Sequence, residues 1–313
     1  MSAPATTRAV VRLPVPTVDV TFRALGSEVR LIATGHGSRA AVSQARREIL
    51  DYHARLSRFD PASELCALNA DPRAAVPASA LLCSAVRAAL WAAQHSEGLV
   101  DPCLLDALDR AGYAGSFERR GAVAPPVGPA APAAPDPALR WRALRVDDDA
   151  ATVVRPPGLR LDLGGSGKGH AADLVARRFE SFGRWVVDCG GDIRVGGSRE
   201  ILIAHPLGDE PAARLLVKDG AVATSSVVSR AWMTPDGRRA HHLIDPGTGE
   251  PAWTGLLAAT ALAPTTLYAE TLAKVALMQG ADGAREVLAR FGGLVVHEDG
   301  RVETIGHLPE IGS

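Results

Sequence analysis

Residues 161–197, LDLGGSGKGHAADLVARRFESFGRWVVDCGGDIRVGG, set two glycine-rich turns on either side of an expected helix over 170–182. Gly164, Gly165, Gly167 and Gly169 leave backbone N–H groups uncovered where that helix would start. A helix start carries unpaired donors and partial positive charge, so the segment suits a phosphate-bearing ligand. A plain strand-to-helix turn would use the same residues. Neither familiar phosphate loop is present. A Walker loop needs glycine where Asp162 stands and Ser or Thr where Gly169 stands, and the dinucleotide fingerprint needs glycine where His170 stands.

Three polar clusters accompany the loop. SRFDPASELCALN (57–69) reads as a helix that ends in a polar turn and restarts at Ser63. The hydroxyls of VATSS (222–226), Thr224 among them, could meet a ligand or cap a turn. In HHLIDPGTGEP (241–251) an Asp245-Pro246 turn follows a hydrophobic strand, and His242 with Asp245 offers a proton-handling pair. Cys66, Cys83, Cys103 and Cys189 show no CxxC spacing, which argues against structural zinc and against a disulfide framework.

The elements that must position these groups are legible as patterns. A strand pair is expected over 18–34, then helices over 38–59 with Ser38 as N-cap, over 78–96 and over 104–111. Residues 121–137, rich in Pro, Ala and Gly, read as a mobile surface insertion. Beyond it come strands LRVDD, TVVRP and LRLDL, the glycine loop and its helix, and strands WVVDCGG, ILIAHP and ARLLVK. ATALAPT is an expected strand, followed by helices over 267–279 and 283–291 and a closing strand LVVHED. The pattern is α+β.

With 313 residues, 47% of them hydrophobic, and a formal net charge of -1, the chain can bury a large core and carries no electrostatic footprint for nucleic acid. The N-terminal residues have arginines and prolines where a secretion signal needs an apolar core, and no apolar run is long enough to span a bilayer. A cytoplasmic protein without membrane insertion is expected.

The order and content of these motifs resemble the ApbE family of flavin transferases, which move the FMN half of FAD onto a protein hydroxyl and release AMP. LDLGGSGKGHAAD resembles the family's DLGG-x-x-KG-x-AAD loop, DCGGDIRVGG its GGD element, VATSS its ATSG, and HLIDPGTGEP its HIIDP-x-TG-x-P. ALGSEV is similar to its MGT turn, SRFDPASELCALN to its S-x-Y-x-x-x-S-x-x-x-x-x-N segment, and SEGLVDP (96–102) to its G-x-FDP element.

The resemblance implies an ApbE-type mixed fold over 18–308, with two subdomains sharing an FAD cleft and a disordered tail over 1–17. It implies that Leu25, Phe59, Leu99, Val100, Asp101, Gly164 and His170 line the FAD pocket with Lys168. Thr224 and Lys274 complete the expected cofactor-binding set. Asp101 would hydrogen-bond the flavin ring or cap the next helix. Either His242 or Asp245 would accept the proton of an incoming Thr or Ser hydroxyl of a flavin-acceptor protein.

One motif departs. The family's late A-D-A-x-x-T helix supplies Asp and Thr to a magnesium that bridges the diphosphate, with a carbonyl from the glycine loop. Here the stretch is AETLAK, so the expected metal groups are Glu270 and the Gly167 carbonyl, while Lys274 replaces Thr. Glu270 and Lys274, four apart on one helical face, could instead form an ion pair. If Lys274 points into the site, its ammonium would repel a divalent cation and could itself neutralise the diphosphate, and magnesium would then bind weakly, in a shifted place or not at all. The expected activity is FAD:protein FMN transfer, with an FAD-binding protein without transfer activity, or an FAD diphosphatase, as alternatives.

Overall fold

The computed structural model describes residues 15–113, 115, 129–234 and 237–309. Strands β1 (Thr17–Ala24) and β2 (Ser27–Thr34) lead into helices α1 (Ser38–Leu56) and α2 (Glu64–Ala70), strand β3 (Ala75–Pro77), and helices α3 (Ala80–His95) and α4 (Leu105–Arg110). Short strands β4 (Arg145–Asp147) and β5 (Thr152–Val154) precede α5 (Gly167–Ala176). Then come β6 (Arg184–Cys189), β7 (Asp192–Gly196), β8 (Ser198–Ala204), β9 (Pro211–Lys218), β10 (Ala221–Ser226), β11 (Ala231–Met233) and β12 (Arg239–His241). The described chain closes with β13 (Leu256–Ala263), α6 (Thr266–Leu288), β14 (Gly293–His297) and β15 (Val302–Ile305).

The α+β class is as the sequence implies. An eight-stranded sheet runs in the order β1-β2-β6-β7-β10-β13-β14-β15, and every neighbouring pair in it is antiparallel. Side chains of a strand alternate between faces, and both faces here are covered. Val29, Leu31 and Val187 pack with Val42, Ala45 and Ile49 of α1 and with Ala172 and Val175 of α5. Ala259, Ala261 and Val295 pack with Ala273, Ala276 and Leu277 of α6. On the other face, Val222, Ala258, Leu294 and Val296 meet Ile201, Ile203, Leu215 and Val217 of the β8–β9 ribbon. Strands β3, β5 and β4 form a separate small sheet.

Two turns of the large sheet matter for the cleft. Gly190 and Gly191, at φ 69 and 90, make the two-residue connection between β6 and β7, a turn that needs positive φ at both positions. A Cβ on Gly190 would also collide with Ser27 Oγ. The β1–β2 turn places a non-glycine, Leu25, at φ 56, a conformation costly for a branched side chain.

Several sequence expectations are corrected. The loop helix begins at Gly167, not His170, and ends at Ala176; the chain then tightens into i→i+3 turns, with Arg178, Phe179 and Phe182 N–H donating to the carbonyls of Val175, Ala176 and Phe179. Gly37, at φ 85, caps α1, and Ser38 is already helical. LRLDL joins no sheet: the Asn69 amide takes the place of a strand partner, accepting from Leu161 N at 2.7 Å and donating to Leu161 O at 2.9 Å. The two late helices are continuous in hydrogen bonding but broken at Gly280, at φ 73 and ψ -173. Residues 1–14 of the expected tail and 121–128 of the expected insertion lie outside the described residues. The rest of that insertion is tied down, with Ala131, Ala133 and Ala134 N–H donating to Trp253 O, Met278 O and Asp245 Oδ1.

Candidate functional site

A cleft of about 300 Å³ opens beside the start of α5, within the range of small-molecule sites. Its walls include Leu25, Phe59, Leu99, Val100, Asp101, Gly164, Gly167, Lys168, His242 and Lys274, so ten of the residues singled out in the sequence converge there. Arg58, inside the SRFDPASELCALN motif, lines it as well, and so do Tyr52, Tyr113, Arg230 and Met278, to which no sequence motif drew attention.

The glycine loop reaches the cleft because three side chains hold it from outside. Asn69 grips Leu161, Asp162 Oδ1 accepts from Gly164 N at 3.1 Å, and Glu270 Oε2 accepts from Gly169 N at 2.8 Å. The glycine at 169 is sterically required: a Cβ there would sit 2.8 Å from both Leu267 N and Glu270 Oε2, so the starts of α5 and α6 could not approach. The N–H groups of Gly165, Gly167 and Lys168 have no acceptor among the described residues. They are the unspent donors of the helix start, available to an anion.

Cationic side chains gather at the same end. Lys168 Nζ lies 2.6 Å from Asp192 Oδ2, which the Gly190–Gly191 turn brings into position. Burial works against the Lys168 charge, but the Asp192 and Glu270 carboxylates outweigh it and raise its pKa. Lys274 reaches the cleft from α6 with its Nζ 2.8 Å from Glu270 Oε1. Arg230 follows β10 into the cleft, a signal hidden in the sequence because nothing around it marks a ligand.

His242 lies among these charges. Burial, and then the neighbouring Arg230, His241, Lys274 and Lys168, hold its pKa well below the ordinary histidine value. Its ring is therefore neutral near pH 7, and its Nδ1 is buried without a partner among the described residues. A neutral imidazole beside an anion cradle can accept a proton from a hydroxyl.

The cleft also has an aromatic wall, whose Tyr113 ring lies 6.4 Å from that of His242. The Phe59 and Tyr113 rings meet edge to face at 5.4 Å, and the Arg58 guanidinium lies over both, 4.3 and 4.5 Å from their centroids. Asp101, also in the cleft wall, accepts from Cys103 N at 2.7 Å through Oδ1, while its Oδ2 is buried without a partner among the described residues. Burial raises its pKa.

Four residues expected at the site stand outside the cleft walls. His170 turns away between Tyr52 Oη, 3.2 Å from its Nδ1, and Ser84 Oγ, 3.0 Å from its Nε2, and burial lowers its pKa to about 4. Thr224 pairs within the sheet with Thr260, their hydroxyls 2.9 Å apart. Asp245 is spent on its own turn, accepting from Ala134 N, Gly247 N and Thr248 Oγ1 at 3.0, 2.9 and 3.1 Å. Glu270 is 1% exposed, and both its oxygens already accept hydrogen bonds.

That last arrangement tests the magnesium expectation, and the residues do not fit the ion. A hard divalent cation needs several free oxygen ligands, yet Glu270 is occupied by two donors, one of them an ammonium, and no group of three or more His, Cys, Asp or Glu able to hold a metal occurs among the described residues.

A model of the ApbE family matches residues 17–296, and the chain belongs to that family. Among relatives, it is 34% identical over 145 residues to the FAD:protein FMN transferase of Escherichia coli (strain K12), spanning 44% of this chain and 41% of that protein. It is 25% identical over 288 residues to the FAD:protein FMN transferase of Haemophilus influenzae, spanning 86% of this chain and 83% of that one. The chain thus spans less than half the length of the first of these relatives in the matched region. Among solved structures, the ApbE protein of Thermotoga maritima superposes with a TM-score of 0.78 at 26% identity, covering 93% of this chain and 97% of that one. No helix among the described residues is long and apolar enough to cross a membrane.

Proposed function

We propose that this chain is an FAD:protein FMN transferase, with FAD as substrate and a Thr or Ser hydroxyl of an acceptor protein as nucleophile. The observation that carries the reading is the convergence of unspent α5 amides, Lys168, Arg230 and Lys274 around a neutral His242. Amides and cations would hold the diphosphate, as anion sites at helix starts do. His242 would take the hydroxyl proton as the oxygen attacks the FMN phosphorus and AMP leaves in line. Asp245, bound up in its turn, would fix the loop that carries His242. The aromatic wall would stack the flavin ring, and the free Asp101 Oδ2 would accept a ring N–H.

The unit performing this work is residues 18–308, acting in the cytoplasm without nucleic acid. Incubation with FAD and an acceptor peptide tests the reading: covalent flavin fluorescence on the peptide with an equal amount of AMP supports transfer. Free FMN with AMP would assign a diphosphatase, and a stable yellow complex without AMP would assign a binding protein.

A further inference from the structure

We propose that Lys274 is a built-in counter-charge for the diphosphate of the bound dinucleotide, so that binding requires no divalent cation. The inference rests on the flavin reading above and goes beyond it. Lys274 lines the cleft with its side chain only 9% exposed, and its ammonium is fixed in place by the Glu270 carboxylate one helical turn away. An ammonium has three donors; Glu270 takes one, which leaves others for phosphate oxygens.

Glu270 in turn spends its second oxygen on Gly169 N, so the carboxylate ties α6 to the start of α5 and turns no free oxygen toward an incoming anion. The consequence is a single rigid unit in which the ammonium of one helix and the unspent amides of the other are held together. A divalent cation placed here would meet Lys274 as a like charge and find Glu270 already occupied. The arrangement therefore supplies with a side chain the charge that a bridging ion would otherwise bring, as a point charge rather than an octahedral centre.

The test is to titrate the full chain with FAD and with riboflavin, which lacks the diphosphate, in EDTA and in magnesium chloride. Lys274→Met is compared with Glu270→Gln/Lys274→Met, which leaves no unpaired carboxylate buried; riboflavin binding reports whether each variant keeps its fold. The parent should bind FAD in EDTA with a Kd within about twofold of that in magnesium. Both variants should lose about tenfold or more in FAD affinity, the weight of a charge-assisted hydrogen bond, with riboflavin affinity unchanged.

FAD binding by the parent that vanishes in EDTA and returns with magnesium would overturn the inference and leave the flavin reading standing. So would variants that bind FAD as tightly as the parent. A parent that binds neither FAD nor riboflavin in any condition would bring down the flavin reading, and this inference with it.

Discussion

The aromatic wall of the cleft and its charged end differ in how they are built. Phe59, Tyr113 and Arg58 hold one another by ring contacts and a shared cation, although Arg58 and Tyr113 lie 55 residues apart in sequence. The charged end draws on α5, α6, β7, the segment after β10 and the segment after β12; Lys168 and the Gly169 amide are held by Asp192 and Glu270, distant in sequence, while Lys274 is held by Glu270 one helical turn away. Ring affinity and phosphate chemistry are separable in this molecule: the first rests chiefly on ring packing, the second on a frame of hydrogen bonds and ion pairs.

The sharpest way to separate the two is His242→Ala. It should lower the rate of AMP release by about a hundredfold or more, the usual weight of a general base, and leave riboflavin binding intact. Asp245→Asn should cost far less in rate and should appear mainly as a lower melting temperature, since Asp245 braces a turn outside the cleft walls. Equal rate losses for the two would return Asp245 to the proton transfer.

Gly169→Ala attacks the frame itself. The added methyl meets the backbone of Leu267 at 2.8 Å, and the expected cost is roughly 1–3 kcal/mol of stability in denaturant titration, accompanied by weaker FAD binding. Phe59→Ala attacks the aromatic wall: FAD and riboflavin should weaken together, by about tenfold, corresponding to about 1.4 kcal/mol of lost ring contact. Loss of FAD affinity alone would break the proposed division.

A separate effect, on stability alone, follows from two buried histidines. Burial lowers His170 and His241 to about 4. Both are neutral in the folded state, while an unfolded histidine titrates near 6.5. The unfolded chain therefore binds more protons below pH 6.5, and the stability these groups contribute, complete above that pH, is lost progressively as pH falls toward 4. At pH 5 the loss should be on the order of 2 kcal/mol per histidine, visible as a falling melting temperature.

The sequence made most of the cleft wall legible because those residues lie in turns with fixed backbone demands. The Gly190–Gly191 hairpin, the glycine loop and the Asp245-Pro246 turn announce themselves in one dimension. Arg230 and Tyr113 do not: their place in the cleft comes from tertiary packing and follows no local pattern. His170 and Thr224 sit inside recognisable motifs yet face the interior, since a motif fixes spacing along the chain but not which side of the helix or sheet meets the cleft. LRLDL read as a strand because its alternation is right, and only Asn69, 92 residues away, reveals that a side chain supplies the pairing.

Mass spectrometry of an acceptor peptide after incubation with FAD reaches the central claim most directly. One FMN should be attached through phosphate to a Thr or Ser for each AMP released, and no such adduct should form with His242→Ala. An unmodified peptide from a chain that binds FAD and holds it intact would contradict the claim.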